Sequence, residues 1–287
     1  MIKKCIFKIL VILISLFVIF LGTYKFDKNK DINYEEINYN NVEEISNDVE
    51  EKSDDVIIPN KRDDFLAEKQ KNKDVKAWIT IPGTTIDWPV MQWIVVNPEQ
   101  KCFYDRRDEN KNYSFAGSIY SGEGVKFEPY NEISNNLILH GHNLDDNPNG
   151  KRFAQLMKFL DIEFAKNTPY IFLTTEDADL VYQIYAVYFT DIDFNCYWIG
   201  LGENDMLGMI NGAKERSEYV YDVDATGKDK IITLSTCTYK YGKNGSNGQK
   251  YTRFVIQGKL LTSNSKLSST VSIKKNPNPK QPVIPKM

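Results

Sequence analysis

Residues 230–260 read KIITLSTCTYKYGKNGSNGQKYTRFVIQGKL, and the pattern of this stretch decides how the rest of the chain is read. Residues 230–235 and 254–260 are apolar runs rich in β-branched side chains, the composition of buried strands. Between them lies a Gly/Asn/Lys-rich segment suited to a loop. If the two runs pair as a hairpin-like unit, Arg253, at the start of the second, returns alongside Cys237, at the end of the first. That juxtaposition has a chemical meaning. A free thiol with a pKa of about 8.5 is only a few per cent thiolate near neutral pH. A nearby guanidinium stabilises the thiolate and, later, the oxyanion on an attacked carbonyl.

Acid/base chemistry needs a partner, and the chain has two histidines. His140 and His142 both lie in LILHGHN, where an apolar run ends at a glycine. Side chains two apart on a strand share a face, so a histidine emerging at a strand end is placed to meet a nucleophile on a neighbouring strand. An imidazole there can protonate a departing amine. Cys, His and Arg are each common structural residues taken singly. Their joint occurrence at strand ends bordering loops supplies every role in an acyl transfer.

Outward from this centre the same short-strand pattern continues. Residues 77–81, Pro82-Gly83 and 84–91 read as strand, turn and strand, and 117–120 and 136–140 as further strands. Phe153, Leu156, Met157 and Leu160 repeat at helical spacing, with Asn149 a candidate cap and Pro169 a stop. Residues 170–174 and 180–190 alternate like paired strands, and Met206, Leu207, Ile210 and Ala213 predict a helix weakened by Gly208 and Gly212. No βαβ alternation is present, so the expected fold is mainly β, a barrel with inserted helices.

The ends of the 287 residues read differently from the middle. Residues 1–25 combine a basic start (Lys3, Lys4, Lys8) with an apolar run, 6–24, long enough to span a bilayer with the N-terminus cytoplasmic. The run is long for a cleaved signal peptide and no A-x-A site follows it. Residues 26–60 are rich in Asp, Glu and Asn and read as a stalk holding an extracellular domain, 61–261, off the membrane; a polar helix over 61–75 carrying Phe65 and Leu66 leads in. Residues 262–287, rich in Ser, Lys and Pro, predict a disordered or extended tail. A net charge of −3 and the absence of a basic, aromatic-laced run argue against a nucleic-acid partner. Cys5, Cys102, Cys196 and Cys237 form no C-x-x-C pair, so neither a zinc site nor a disulfide framework is expected, and the chemistry above needs no metal or cofactor.

TLSTC followed by Tyr239, the later Arg253 and the upstream GHN resemble a class B sortase. The resemblance extends to AWITIPGTTIDWPV (77–90), AGSIY (116–120) and NTPYIFL (167–173) and covers roughly residues 63–261. It implies a sortase β-barrel with an N-terminal helical extension. It also implies Cys237 as nucleophile, His142 as general acid/base and Arg253 as the oxyanion and substrate-positioning residue. Ser235 and Thr236 are expected to line the substrate groove, Ser235 more directly, while His140 is left without a role. The implied substrates are secreted surface proteins bearing an NPxTx-like sorting signal, and the acceptor is a peptidoglycan stem or cross-bridge amine. Two segments depart from the family pattern, SGEGVKFEPYNE (121–132) and LDDNPNGKRF (144–153), and both border the expected groove. Three alternatives stay open: a sortase that polymerises pilins, a papain-like wall hydrolase using Cys102 before His142, and a non-catalytic anchored binding protein.

Overall fold

The computed structural model describes residues 56–94, 102–243 and 245–285. The apolar run 6–24 and nearly all of the acidic stretch after it therefore lie outside the described residues. Among the described residues, no helix is long and apolar enough to cross a membrane.

A short helix, α1 (Arg62–Lys71), opens the described body and leads into β1 (Val75–Thr80) and β2 (Asp87–Gln92). There follow β3 (Ile119–Ser121), β4 (Asn136–His140), α2 (Ile162–Asn167), β5 (Tyr170–Thr174) and β6 (Asp179–Asp191). Then come α3 (Glu203–Arg216), β7 (Tyr219–Tyr221), β8 (Ile231–Cys237), α4 (Asn247–Tyr251), β9 (Thr252–Leu260) and β10 (Ile273–Lys275). Eight strands close into a barrel in the order β1-β2-β3-β4-β8-β9-β6-β5, so no ladder edge is left open within it. The sheet is mixed, with parallel pairs at β2–β3 and β4–β8. β8 is buried along both faces except at its last residue, as a run without polar alternation requires.

A buried polar chain crosses the wall beneath the site. Tyr185 donates to Gln257, Gln257 to Thr233 and Thr233 to Asn136, at 2.8, 2.9 and 2.7 Å. It links β6, β9, β8 and β4, and a one-residue slip of any of these strands would leave its members unpaired.

α1 buries Phe65 in a satellite cluster with Val75, Met91 and Tyr104, while Leu66 stays exposed. Tyr104 is fixed from the same side, donating to Asp74 at 2.6 Å and accepting from Asn72 at 2.9 Å. The helical extension thus braces the short 3₁₀ turn Phe103–Arg106.

Two expectations are corrected. The predicted helix over 153–160 is a 3₁₀ segment, Arg152–Leu160, with no side-chain cap; Asn149 does not begin it. The apolar spacing that matters is three: Phe153, Leu156 and Phe159 are fully buried, and Leu160 is 39% exposed. Asp161 instead caps the separate α2, accepting from Glu163 and Phe164 backbone N–H.

The second concerns the C-terminal tail, expected to be disordered or extended: it is extended, forms one short strand and is hydrogen-bonded as far as residue 285. β10 pairs antiparallel with β7, and Val271 and Ile273 are buried against the core. Beyond it, Asn276 binds the carbonyls of Glu218 and Ser217, and Lys280 N–H donates to Glu215 O. The pairing is non-local and involves three residues, so composition alone gives a polar tail and no strand.

Candidate active site

β8 sits between β4 and β9, and both registers matter. His140 lies opposite Ser235 across the parallel β4–β8 pair, and Cys237 lies opposite Arg253 across the antiparallel β8–β9 pair. The parallel ladder continues one residue past β4, with Gly141 N–H donating to Ser235 O and the Thr236 hydroxyl donating to Gly141 O at 2.7 Å. His142 therefore emerges beside the end of β8. A cleft of about 380 Å³ opens there, lined by Cys237, His142, Arg253, Ser235, Thr236 and His140, with Asp105, Tyr120, Gly141, Ile192 and Tyr197 completing it. All five site residues expected from the sequence meet in this one cleft. Cys102 is not part of its lining; it is exposed at the start of the 3₁₀ turn.

Gly141 is a packing requirement. A Cβ there would come 2.7 Å from the Phe153 ring, so only glycine lets the strand end pass so close. The imidazole of His142 is held by Asp105, its Nε2 lying 2.7 Å from the backbone carbonyl and 3.2 Å from carboxylate Oδ1. Both neighbours are acceptors, so Nε2 carries the hydrogen and Nδ1 is the nitrogen left to exchange a proton. The hydrogen bond from His142, helped by the positive charges of His142 and Arg106, holds the Asp105 carboxyl below the usual carboxylate range against the opposing effect of burial.

The segment after His142 fastens the end of β8. Asn143, 1% exposed, donates to Cys237 O at 2.9 Å and to Asp146 Oδ1 at 2.6 Å. Asp146 Oδ2 in turn accepts from Tyr239 N–H and the Thr238 hydroxyl. The divergent 144–153 loop thus contributes a carboxylate that grips the turn just after Cys237.

Arg253 is held differently. Its Nη1 donates to backbone carbonyls of Lys250 at 2.9 Å and Thr252 at 2.7 Å, with Gln249 O at 3.5 Å. These oxygens lie at the end of α4 and its junction with β9, where free carbonyls attract a cation. Among the described residues Nε and Nη2 make no hydrogen bond, and the residue lines the cleft.

Of the two expected groove residues, Thr236 has its hydroxyl committed to Gly141, whereas Ser235 shares a 3.0 Å hydrogen bond with the Tyr197 hydroxyl. Ser235 is on the same strand face as Cys237, and Thr236 is on the other. His140, unassigned from sequence, is a cleft residue whose ring lies between Tyr120 and Tyr197, with centroids at 5.6 and 6.2 Å. Burial, reinforced by the charge of Arg253 and partly offset by Asp105, pushes its pKa down to about 4. Sequence reasoning missed Asp105, Tyr120, Asn143, Asp146 and Tyr197. Asn143, as the third member of GHN, and Tyr120, as the last residue of AGSIY, lie in quoted motifs; the other three carry no such signal. Among the described residues no cluster of His, Cys, Asp and Glu can hold a metal ion.

A model of the Sortase domain family matches residues 79–261. Sortase B of Listeria monocytogenes is 34% identical over 203 residues, 70% of this chain and 75% of that protein. Sortase B of Staphylococcus aureus is 26% identical over 259 residues, 88% of this chain and 94% of that protein. Among solved structures, sortase B of Clostridium perfringens matches with a TM-score of 0.55 at 26% identity, covering 69% of this chain and 99% of that one. A Staphylococcus aureus sortase B–substrate complex matches with a TM-score of 0.57 at 25% identity, covering 71% and 87%. The barrel, the helical extension and these relatives together make the chain a member of the sortase family, a cysteine transpeptidase of the class B type.

Proposed function

We propose that this transpeptidase cleaves an NPxTx-like sorting signal near the C-terminus of a secreted protein and joins the new acyl end to a peptidoglycan amine through a thioester on Cys237. The observation that carries the reading is the meeting of Cys237, His142 and Arg253 at the ends of three adjoining segments around one cleft. The thiolate attacks the Thr carbonyl carbon, forming a C–S bond, and the oxyanion faces the free edge of Arg253. The amide C–N bond then breaks, and the departing amine takes a proton from His142 Nδ1–H. In the second half an acceptor amine attacks the thioester carbon, His142 takes its proton, and the thiolate leaves. Asp105 keeps the imidazole oriented through both halves. Ser235 and the Tyr197 hydroxyl supply polar groups for the signal peptide on the face shared with Cys237.

The apolar run 6–24 and the acidic stretch after it suit a single-pass anchor with the enzyme outside the cell, where such substrates emerge from the same membrane. Pilin assembly differs only in the acceptor, a lysine on another subunit.

Incubating a peptide library with and without candidate amines, read by mass spectrometry, tests the reading. Transfer to a wall-type diamine is expected, and Cys237→Ala should abolish both cleavage and transfer while Cys102→Ala retains both. Activity that survives Cys237→Ala but is lost in Cys102→Ala would sink the sortase mechanism in favour of the papain-like order. Hydrolysis with no transfer to any amine would reduce the enzyme to a protease.

A further inference from the structure

The sortase family match stops at residue 261, yet the chain continues and folds back. After β10 the tail runs towards the segments that frame the Arg253 side of the cleft. Gln281 Oε1 accepts from the Tyr241 hydroxyl at 2.6 Å, just after the nucleophile strand. Val283 N–H donates to Asp191 Oδ2 at 3.2 Å, at the end of β6 and next to Ile192 of the cleft wall. Pro285 O accepts from Asn247 Nδ2 at 3.2 Å, on the first residue of α4. Three separate segments of one corner are thus tied to one strand of tail.

Apolar burial within α4 itself is slight. α4 is five residues long, and Gly248 is its only buried member. It is otherwise fastened by the Ser246 cap, by the Thr252 hydroxyl donating to Gly248 O, by Gly245 N–H donating to Gln249 Oε1 and by Ile192 N–H donating to Tyr251 O. Yet this helix supplies the carbonyls of Gln249 and Lys250 that orient the Arg253 guanidinium. We propose that residues 277–285 are a positioning strap for Arg253, fixing α4 and the Asp191–Ile192 wall so that the free edge of the guanidinium meets the substrate carbonyl. The strap acts through Arg253 and touches no reacting atom; it rests on the reading of Arg253 as the oxyanion residue.

The test compares the full chain with a variant ending at Asn276, which keeps β10, and with the paired substitution Gln281→Ala and Asn247→Ala. Peptide transfer is measured for each, in the parent and in Arg253→Lys. Both strap variants are expected to lower kcat about five- to tenfold with KM changed less than twofold. In the Arg253→Lys background the same changes should alter kcat less than twofold. Parent kcat in both strap variants overturns the proposal while leaving Arg253 in its role. An equal loss in the Arg253→Lys background also overturns it, since the tail would then be general support. Full activity of Arg253→Lys itself would overturn the role of Arg253 and the strap together.

Discussion

The two walls of the cleft are built by different means. On the Cys237/His142 side the positions follow from sheet registers and buried clamps: β4 against β8, the ladder extended through Gly141, and Asn143 gripping Cys237 O. On the Arg253 side, the strand gives the Cα position, but a five-residue helix and a folded-back tail give the guanidinium its direction. The first wall is the stiffer because its hydrogen bonds are at least partly buried and converge on the fully buried Asn143 and the β8 ladder. The second is held by exposed hydrogen bonds, each contributing about 1 kcal/mol or less. A transpeptidase gains from this division. In the proposed mechanism the thiolate and imidazole need fixed geometry in both half-reactions, while the oxyanion side has to admit a peptide first and an amine later.

The stiff wall breaks hardest at Gly117. Its φ of +58° is left-handed, and a Cβ would come 2.4 Å from Asp105 O and 2.9 Å from Tyr104 O, both rigid backbone. Gly117→Ala should cost about 3 kcal/mol, combining left-handed strain with a clash that the backbone must relieve. Because the displaced segment carries Asp105, peptide transfer should fall along with the thermal midpoint. A variant with a lowered midpoint but parent kcat would show that the Asp105 contact is dispensable.

Asn143→Ala comes next. It strips the partner from Cys237 O and from Asp146, leaving a half-buried carbonyl without that bond at a cost of about 1–2 kcal/mol. The transfer rate should fall about tenfold, measured with saturating peptide. Asn247→Ala on the opposite wall removes one exposed bond and should change the unfolding free energy by about 0.5 kcal/mol or less. Equal destabilisation by the two substitutions would erase the contrast between the walls.

The same contrast explains what was legible in the sequence. β4 falls at the expected residues, and the return of Arg253 beside Cys237 is an exact register pair, because apolar strand runs and a Gly/Asn-rich loop leave strong local patterns. Asp105 is 37 positions from His142, on a 3₁₀ turn with no periodic signal, and it reaches the ring mainly through a backbone carbonyl that no sequence pattern marks. The segment 152–160 misled because spacings of three and of four share most positions over two turns; only the exposure of Leu160 separates them. The composition of the tail predicts only a disordered or extended segment, because its pairing comes from partners at Tyr219–Tyr221, Tyr241 and Asp191, none of them local.

His140 stands where the walls meet, between Tyr120 and Tyr197 and within the field of Arg253, and it gives the smallest effect with a definite sign. Its pKa in the folded state, about 4, lies below the ordinary value of 6.5. Between those two values the unfolded chain binds a proton that the native ring refuses, so stability must fall as pH drops from about 6.5 to about 4. The full shift corresponds to about 3 kcal/mol, which an opening to solvent through the cleft reduces to about 1–2 kcal/mol. His140→Phe keeps the ring stack and removes the proton acceptor, so its unfolding free energy should decline less over this window than that of the parent. Asp105, with its lowered pKa, loses its contribution only at more acid pH and does not enter. Urea titrations at pH 7 and pH 4.5 on the pair measure the difference, and parallel acid declines would mean that the ring is protonated without cost inside the folded cleft.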